Sequence, residues 1–151
     1  MKRLLLWEPE FLKDCTDLDR ALHVLSEYVC RAGLGKEASR IENDLGSRCR
    51  AGDVMLSHGL VNPHAQSSNV LVSTMIYVKF AKPLRANAVY ASTVESGFSR
   101  MLLTMLSTSP TQEEVREVCG WYRSMADDEI LALLANGTQQ EIRRLLLEEG
   151  E

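Results

Sequence analysis

The sequence predicts an α/β domain, and three observations support that class. Two strand-like apolar segments lie in the middle of the chain, apolar residues recur with helical spacing before and after them, and capping signals open several of the helices. The chain has 151 residues, 45% of them hydrophobic and 25% charged, which fits one soluble globular domain. Because no repeat, low-complexity tract or linker divides the chain, residues 1–151 are interpreted as a single domain.

Two helices are predicted in the N-terminal third. Thr16 or Asp17 can cap the first, and Gly33 is a suitable stop for it. Its apolar stripe has the i, i+3, i+4 spacing of a helix and consists of Leu18, Ala21, Leu22, Leu25, Tyr28 and Val29. The second helix is expected from about Lys36 to Leu45, with Gly46 ending it.

Two strands are predicted in the middle of the chain. Apolar and polar residues alternate from Val70 to Phe80, and Lys82-Pro83 is expected to end that strand. The stretch from Arg100 to Ser107 is apolar on both faces, which is typical of a central strand covered by helices.

Three further helices are predicted after Pro110. Thr111 and Glu114 form a capping box at the start of the first, whose apolar stripe is Val115, Val118, Cys119, Tyr122 and Met125. A short helix is expected from Asp128 to about Ala135. Thr138-x-x-Glu141 opens the last one.

Composition argues against several classes of function. The net charge of −4 disfavours a nucleic-acid-binding surface, which is normally basic. The apolar runs are too short for a membrane span, and MKRLLLW lacks the features of a signal peptide, so the chain is predicted to be cytoplasmic without direct membrane insertion. The four cysteines form no CxxC pair, and neither a metal site nor a cofactor is expected.

The segment from Arg48 to His64, RCRAGDVMLSHGLVNPH, holds two of the three histidines. Pro63 favours an extended Asn62, so His64 is expected just beyond a rigid segment, and small polar residues follow it. Near neutral pH an unprotonated imidazole nitrogen can attack phosphorus. His64 is therefore the candidate nucleophile, and the guanidinium of Arg48 is the candidate phosphate partner, with Arg50 as its substitute.

This segment resembles the active-site motif of the mannitol/fructose-type (type 2) enzyme IIA domains of the bacterial sugar phosphotransferase system. That motif runs roughly R-E-x-x-G-x-T-G-x-G-x-G-I-A-I-P-H-[AG]. Aligned without a gap, its arginine falls on Arg48 and its terminal P-H-A on Pro63, His64 and Ala65. The segments DLDRALHVLSEYVCRAGL and SMADDEILALLANGTQQEIRRLL also resemble the first and closing helices of the family.

The sequence departs from the motif at several positions. Cys49 replaces the glutamate, Ser57 replaces a glycine, and His58 stands where a small or polar residue is usual. The family typically has a second histidine at the start of the helix after the strand, and the best match to that position here is Glu114.

Two of the candidate residues therefore have alternative interpretations. Glu114 is either only the carboxylate of a capping box or a residue that orients His64 by accepting a hydrogen bond from its Nδ1. His58 is either an auxiliary active-site histidine or a surface residue.

The resemblance implies a mixed parallel and antiparallel sheet flanked by helices, and a phosphoryl-carrier function. A histidine phosphocarrier protein would phosphorylate His64, and the domain would pass the phosphoryl group to an enzyme IIB component. The alternative is a regulatory or protein-binding module that keeps the fold and transfers poorly. An unrelated small α/β enzyme using His58 or His64 as a base is disfavoured, because no partnered nucleophile is apparent.

Overall fold

The computed structural model describes residues 1–51, 59–85 and 97–148. The strands in these ranges are β1 (Lys2–Trp7), β2 (Leu60–Val61), β3 (His64–Gln66), β4 (Thr74–Leu84) and β5 (Phe98–Leu106). The helices are α1 (Leu18–Arg31), α2 (Ala38–Ala51), α3 (Gln112–Ser124), α4 (Asp128–Asn136) and α5 (Gln139–Arg143), and α5 continues as a π-helical turn at Arg144–Glu148. No helix within these ranges is long and apolar enough to cross a membrane.

Within the described ranges the strands form one mixed sheet in the order β1-β4-β5-β2, and β3 also pairs with β5. β4 and β5 are antiparallel, whereas β1 runs parallel to β4, and β2 and β3 run parallel to β5. This arrangement confirms the predicted α/β class with a mixed sheet. The short strands β2 and β3 together occupy the edge opposite β1.

Side chains alternate between the two faces of the sheet and divide the core into two layers. α1 and α2 cover the face to which β4 and β5 contribute the buried residues Ile76, Val78, Phe80, Met101, Leu103 and Met105. The helices after β5 cover the other face, where the buried residues include Met75, Tyr77, Leu102, Met125, Leu134 and Ile142. His64 lies in the edge strand β3, next to Ala65, which packs against the α1–α2 layer.

The structure contains an N-terminal strand that the sequence analysis did not predict. In β1, Leu4 and Leu6 pack against the α1–α2 layer, while Leu5 and Trp7 pack against the opposite layer. An apolar run of this length resembles a buried strand and a short helical segment equally, so only its parallel pairing with β4 identifies it.

α2 is longer than predicted, because it passes through Gly46 and ends at Ala51. Leu45 and Cys49 are both fully buried on its inner face. Burial on this scale outweighs the weak helix propensity of one glycine, and the added turn carries Arg48.

The bounds of β4 also differ from the prediction at both ends. The backbone N–H groups of Leu71 and Val72 both donate to the carbonyl of Leu34, so the strand begins only at Thr74. It then continues through Pro83, beyond the last pairing with β1 at Lys79. A proline is accepted there because that stretch needs no N–H donor toward β1.

The predicted apolar stripe of α3 is only partly buried. Val118 and Met125 lie in the interior, whereas Val115 and Tyr122 are 43% and 40% exposed and Cys119 is also exposed. The prediction that these five residues form one core-facing stripe was therefore wrong for three of them. Tyr122 in this exposed row lies next to His64 at the edge of the sheet.

Candidate functional site

His64 begins the edge strand β3, and the backbone of the neighbouring strand fixes its position. The N–H of Thr104 in β5 donates to the carbonyl of Pro63 at 3.0 Å, and His64 pairs with Thr104 in the parallel register. The side-chain amide of the buried Asn62 donates to the carbonyl of Leu102 at 2.6 Å. The segment that leads into His64 is thus held by main-chain and side-chain hydrogen bonds.

The imidazole of His64 has one nitrogen occupied by a main-chain partner. Its Nδ1 lies 3.0 Å from the carbonyl oxygen of Asn62. A carbonyl oxygen accepts hydrogen bonds and cannot donate one, so Nδ1 carries the proton in neutral imidazole and donates it. Nε2 is therefore the unprotonated nitrogen, and its lone pair is free to act as a nucleophile.

Tyr122 of α3 contacts the imidazole ring directly. The two ring centroids are 5.9 Å apart with an angle of 67° between the ring planes, which is an edge-to-face arrangement. Together with the hydrogen bond to Asn62, this contact restricts rotation of the His64 side chain. Burial raises the pKa of the Tyr122 phenol, and the positive charge of Arg48 partly offsets that shift, so the phenol keeps its O–H at neutral pH.

Arg48 lies on α2, which packs on the opposite face of the sheet from α3. The hydroxyl of Ser67, which follows β3, donates to the carboxylate of Asp44 at 2.5 Å and so ties α2 to this edge. Arg48 is one helical turn after Asp44 and lies on the same side of α2. Arg48 is near enough to Tyr122 for its charge to oppose the rise in the pKa of the phenol, and Tyr122 in turn contacts His64.

Glu114 has a different set of partners. Its carboxylate accepts a hydrogen bond from the N–H of Thr111 at 2.8 Å, and the Thr111 hydroxyl accepts one from the N–H of Glu114. The hydrogen bond from the backbone N–H of Thr111, together with one from the side chain of Ser73, lowers the pKa of Glu114. Glu114 also lies two helical turns, about 12 Å of rise, before Tyr122. The sequence analysis considered a hydrogen bond from Nδ1 of His64 to Glu114. In the structure the carbonyl of Asn62 accepts that hydrogen bond.

The other two histidines differ in what the structure shows. His58 and Ser57 lie outside the described residues. His23 on α1 has its Nδ1 2.7 Å from the carboxylate of Glu42 and its Nε2 3.4 Å from that of Glu27. No group of three or more potential metal ligands occurs among the residues described.

Sequence reasoning named His64 and Arg48 as candidates and did not consider Tyr122 for the site. The signal that was available is the presence of two apolar rows on α3. Positions 115, 119 and 122 form one row and positions 118, 121 and 125 form another, although one row suffices to cover the core. An extra apolar row on a helix indicates a second contact, and here that contact is with His64.

The arrangement is suited to nucleophilic attack by His64 on an anionic group. Nε2 presents a lone pair, the Asn62 carbonyl stabilises the proton on Nδ1 as the ring gains positive charge, and Arg48 supplies donors for an incoming anion. The imidazole is half-buried in an edge strand of the sheet.

Comparison with known proteins gives no match by sequence and clear matches by structure. No family model matches the chain, and no curated protein matches it. Among solved structures, the nitrogen regulatory protein IIA-Ntr from Neisseria meningitidis is 14% identical with a TM-score of 0.68, and the match covers 94% of this chain and 90% of that one.

Two Escherichia coli structures match similarly. IIA mannitol is 14% identical with a TM-score of 0.59, and the match covers 89% of this chain and 93% of that one. The complex of enzyme IIAMTL with phosphorylated enzyme IIBMTL matches with 13% identity and a TM-score of 0.63, and the match covers 97% of this chain and 100% of that one. This chain therefore has the fold of the type 2 enzyme IIA domains of the phosphotransferase system.

Proposed function

We propose that this protein is a phosphoryl carrier that is phosphorylated on Nε2 of His64. The observation that carries the proposal is the hydrogen bond from Nδ1 to the Asn62 carbonyl at 3.0 Å, because it leaves Nε2 as the nucleophilic nitrogen at the exposed sheet edge. The fold shared with enzyme IIA domains supports the same conclusion.

In the proposed reaction, the lone pair of Nε2 attacks the phosphorus of a phosphohistidine on a histidine phosphocarrier protein. A new N–P bond forms, the N–P bond of the donor breaks, and the electron pair returns to the donor imidazole. Arg48 stabilises the negative charge on the phosphoryl oxygens during transfer, and Tyr122 keeps the imidazole oriented. In the next step the phosphoryl group passes to an enzyme IIB component in the cytoplasm.

A partner of this kind is supported by one of the matched structures, a complex between enzyme IIAMTL and phosphorylated enzyme IIBMTL. Tyr122 contacts His64, and the exposed side chains of Cys119 and Val115 extend this apolar surface along α3 away from that contact. Such surface favours docking of a second protein over binding of a free sugar.

A regulatory module is the second candidate function. It is favoured by the match to the nitrogen regulatory protein IIA-Ntr, and by the fact that the ring contacting His64 in the described structure belongs to a tyrosine, not to a second histidine. In that case phosphorylation of His64 would change binding to a target protein, with no onward transfer to enzyme IIB.

The test is incubation with phosphoenolpyruvate, enzyme I and the phosphocarrier protein, followed by intact mass measurement. We expect one acid-labile phosphoryl adduct that is absent from His64→Ala and present in His23→Gln, the matched control histidine. Addition of enzyme IIB should then remove the adduct from the carrier. A stable adduct that enzyme IIB does not remove favours regulation by phosphorylation. No adduct under conditions that label a known enzyme IIA contradicts the carrier function and leaves a protein-binding module.

A further inference from the structure

A cavity of about 530 Å³ lies on the side of α3 away from Tyr122, and nothing in the proposed phosphoryl transfer uses it. Its volume falls in the range of small-molecule sites, roughly 300–1,000 Å³. Its walls come from β1, α3, α4 and the turn after α5. The residues that matter for the argument are Arg3, Arg116, Glu117, Gly120, Trp121 and Leu145.

The polar part of the cavity has an excess of positive charge. The Nε of Arg3 donates to the carboxylate of Glu117 at 2.8 Å, and its Nη1 donates to the carbonyl of Leu146 at 2.7 Å. The carboxylate of Glu117 thus already pairs with Arg3, and its other oxygen lies 3.5 Å from the N-terminal ammonium group of Met1. Arg116 remains, and its one hydrogen bond among the described residues is a long contact of 3.4 Å to Gln112. The charged groups on the cavity wall therefore favour an anion.

The apolar part of the cavity wall is partly aromatic. Trp121 is half-buried, and the guanidinium of Arg3 lies 5.7 Å from the centroid of its ring. Ile130 and Leu145 complete this apolar wall. A planar apolar group would find an indole and two branched aliphatic side chains next to the guanidinium groups.

Gly120 is a second, independent sign that the cavity is kept open. It lies in the interior of α3, where glycine destabilises a helix relative to alanine. A Cβ atom at this position would meet no other atom within 4 Å, so packing does not require glycine. Its effect is to leave the cavity unfilled, since any longer side chain would project into this open space.

We propose that this cavity binds a small organic anion with a planar apolar body, with its charge beside Arg3 and Arg116 and its ring against Trp121. The proposal does not rest on the function of His64, because binding is measured directly. A suitable probe is 2-naphthoate, and 2-naphthamide, which has the same ring system and no charge, is its matched control.

The test is titration of the ¹⁵N-labelled protein with each probe, monitored by amide chemical shifts. We expect shifts concentrated at residues 116–124, 130 and 145, and an affinity for the carboxylate at least fivefold higher than for the amide. Arg116→Gln should reduce the preference for the carboxylate, whereas Arg123→Gln, on the same helix and outside the cavity, should leave it unchanged.

A filling variant provides the second arm. Gly120→Leu should narrow the cavity at its α3 wall, weaken the binding of 2-naphthoate and raise the unfolding temperature, since leucine is a better helix former than glycine and a Cβ atom meets nothing there. Equal affinities for the two probes, shifts elsewhere on the surface, or a Gly120→Leu variant that binds like the wild type would each overturn the proposal. If Gly120→Leu failed to fold, the pair Arg116→Gln and Arg123→Gln would still decide it.

Discussion

Removal of the Tyr122 ring should slow phosphorylation of His64 without unfolding the protein. The imidazole is held by the hydrogen bond to Asn62 at 3.0 Å and by the edge-to-face contact with Tyr122 at 5.9 Å. In Tyr122→Ala the second restraint is lost, so a smaller fraction of the molecules presents Nε2 in the reactive orientation.

The size of the effect follows from the ring contact. An aromatic pair of this geometry contributes about 0.5–1.5 kcal/mol beyond its buried area. A loss of about 1 kcal/mol in the orientation of the nucleophile corresponds to about a fivefold lower rate. Tyr122→Phe keeps the ring, so its rate should stay within about twofold of the wild type.

The assay is the initial rate of phosphoryl transfer from the phosphorylated carrier protein, measured by rapid quench and intact mass. Tyr28→Ala is the matched control, because Tyr28 stacks on Phe11 at 5.1 Å and belongs to a different helix. The ¹⁵N chemical shifts of the His64 imidazole are a second measurement. They would stay unchanged if Tyr122 served only the stability of the fold. A Tyr122→Ala rate within twofold of the wild type, or a Tyr122→Phe rate as low as that of Tyr122→Ala, would refute the role of the ring contact.

Three further predictions follow from the site and its support. Arg48→Gln should lower the rate of His64 phosphorylation about tenfold, because charge-assisted hydrogen bonds to phosphate contribute about 1.5–3 kcal/mol and exposure reduces that value. Arg40→Gln, on the same helix, is the control and should have no effect. Equal rates for the two variants would contradict the role of Arg48 as the phosphate partner. Asn62→Ala should lower the free energy of unfolding, measured in urea, by about 1–3 kcal/mol, because the buried carbonyl of Leu102 loses its hydrogen-bond donor. A loss under about 0.5 kcal/mol would show that the hydrogen bond from Asn62 to Leu102 is dispensable. The pKa of Glu114 is lower in the folded state than its ordinary value of 4.5, mainly because its carboxylate accepts a backbone hydrogen bond at the helix start. Its stabilising effect is therefore complete above that value and disappears as the pH falls through the folded-state pKa. Glu114→Gln should therefore lower the urea midpoint at neutral pH, and this difference from the wild type should shrink as the pH falls through the folded-state pKa. Phosphorylation kinetics should stay unchanged, and slowed phosphorylation would restore the orienting role of Glu114.

Much of the fold could be predicted because the sequence carries local signals. Both capping boxes form as expected, at Thr111 and Thr138. The helix capped by Asp17 also forms, with the side chain accepting from the N–H of Arg20. Each of these features depends on residues close together in the chain, which is why pattern and spacing were sufficient.

The features that were missed depend on contacts between distant segments. β1 is stabilised as a strand by pairing with β4, and α2 passes Gly46 because Cys49 is buried against the sheet. Local propensity did not indicate a strand at β1, and it favoured an end of α2 at Gly46. Tertiary burial decided both.

The same distinction applies to the site. His64 and Arg48 follow from a short motif, but the motif does not state which nitrogen is free. That depends on the Asn62 carbonyl, a main-chain group whose direction is set by pairing with β5. Tyr122 comes from a helix far along the chain, so its contact with His64 required the three-dimensional arrangement.

The central claim is that Nε2 of His64 is the atom that carries the phosphoryl group. Long-range ¹H–¹⁵N correlation spectra of the imidazole test it most directly, recorded before and after phosphorylation. We expect the Nδ1–H tautomer in the free protein and a phosphoryl group on Nε2 in the phosphorylated one, with the Nδ1 proton retained. An Nε2–H tautomer in the free protein, or a phosphoryl group on Nδ1 or on another residue, would contradict the account.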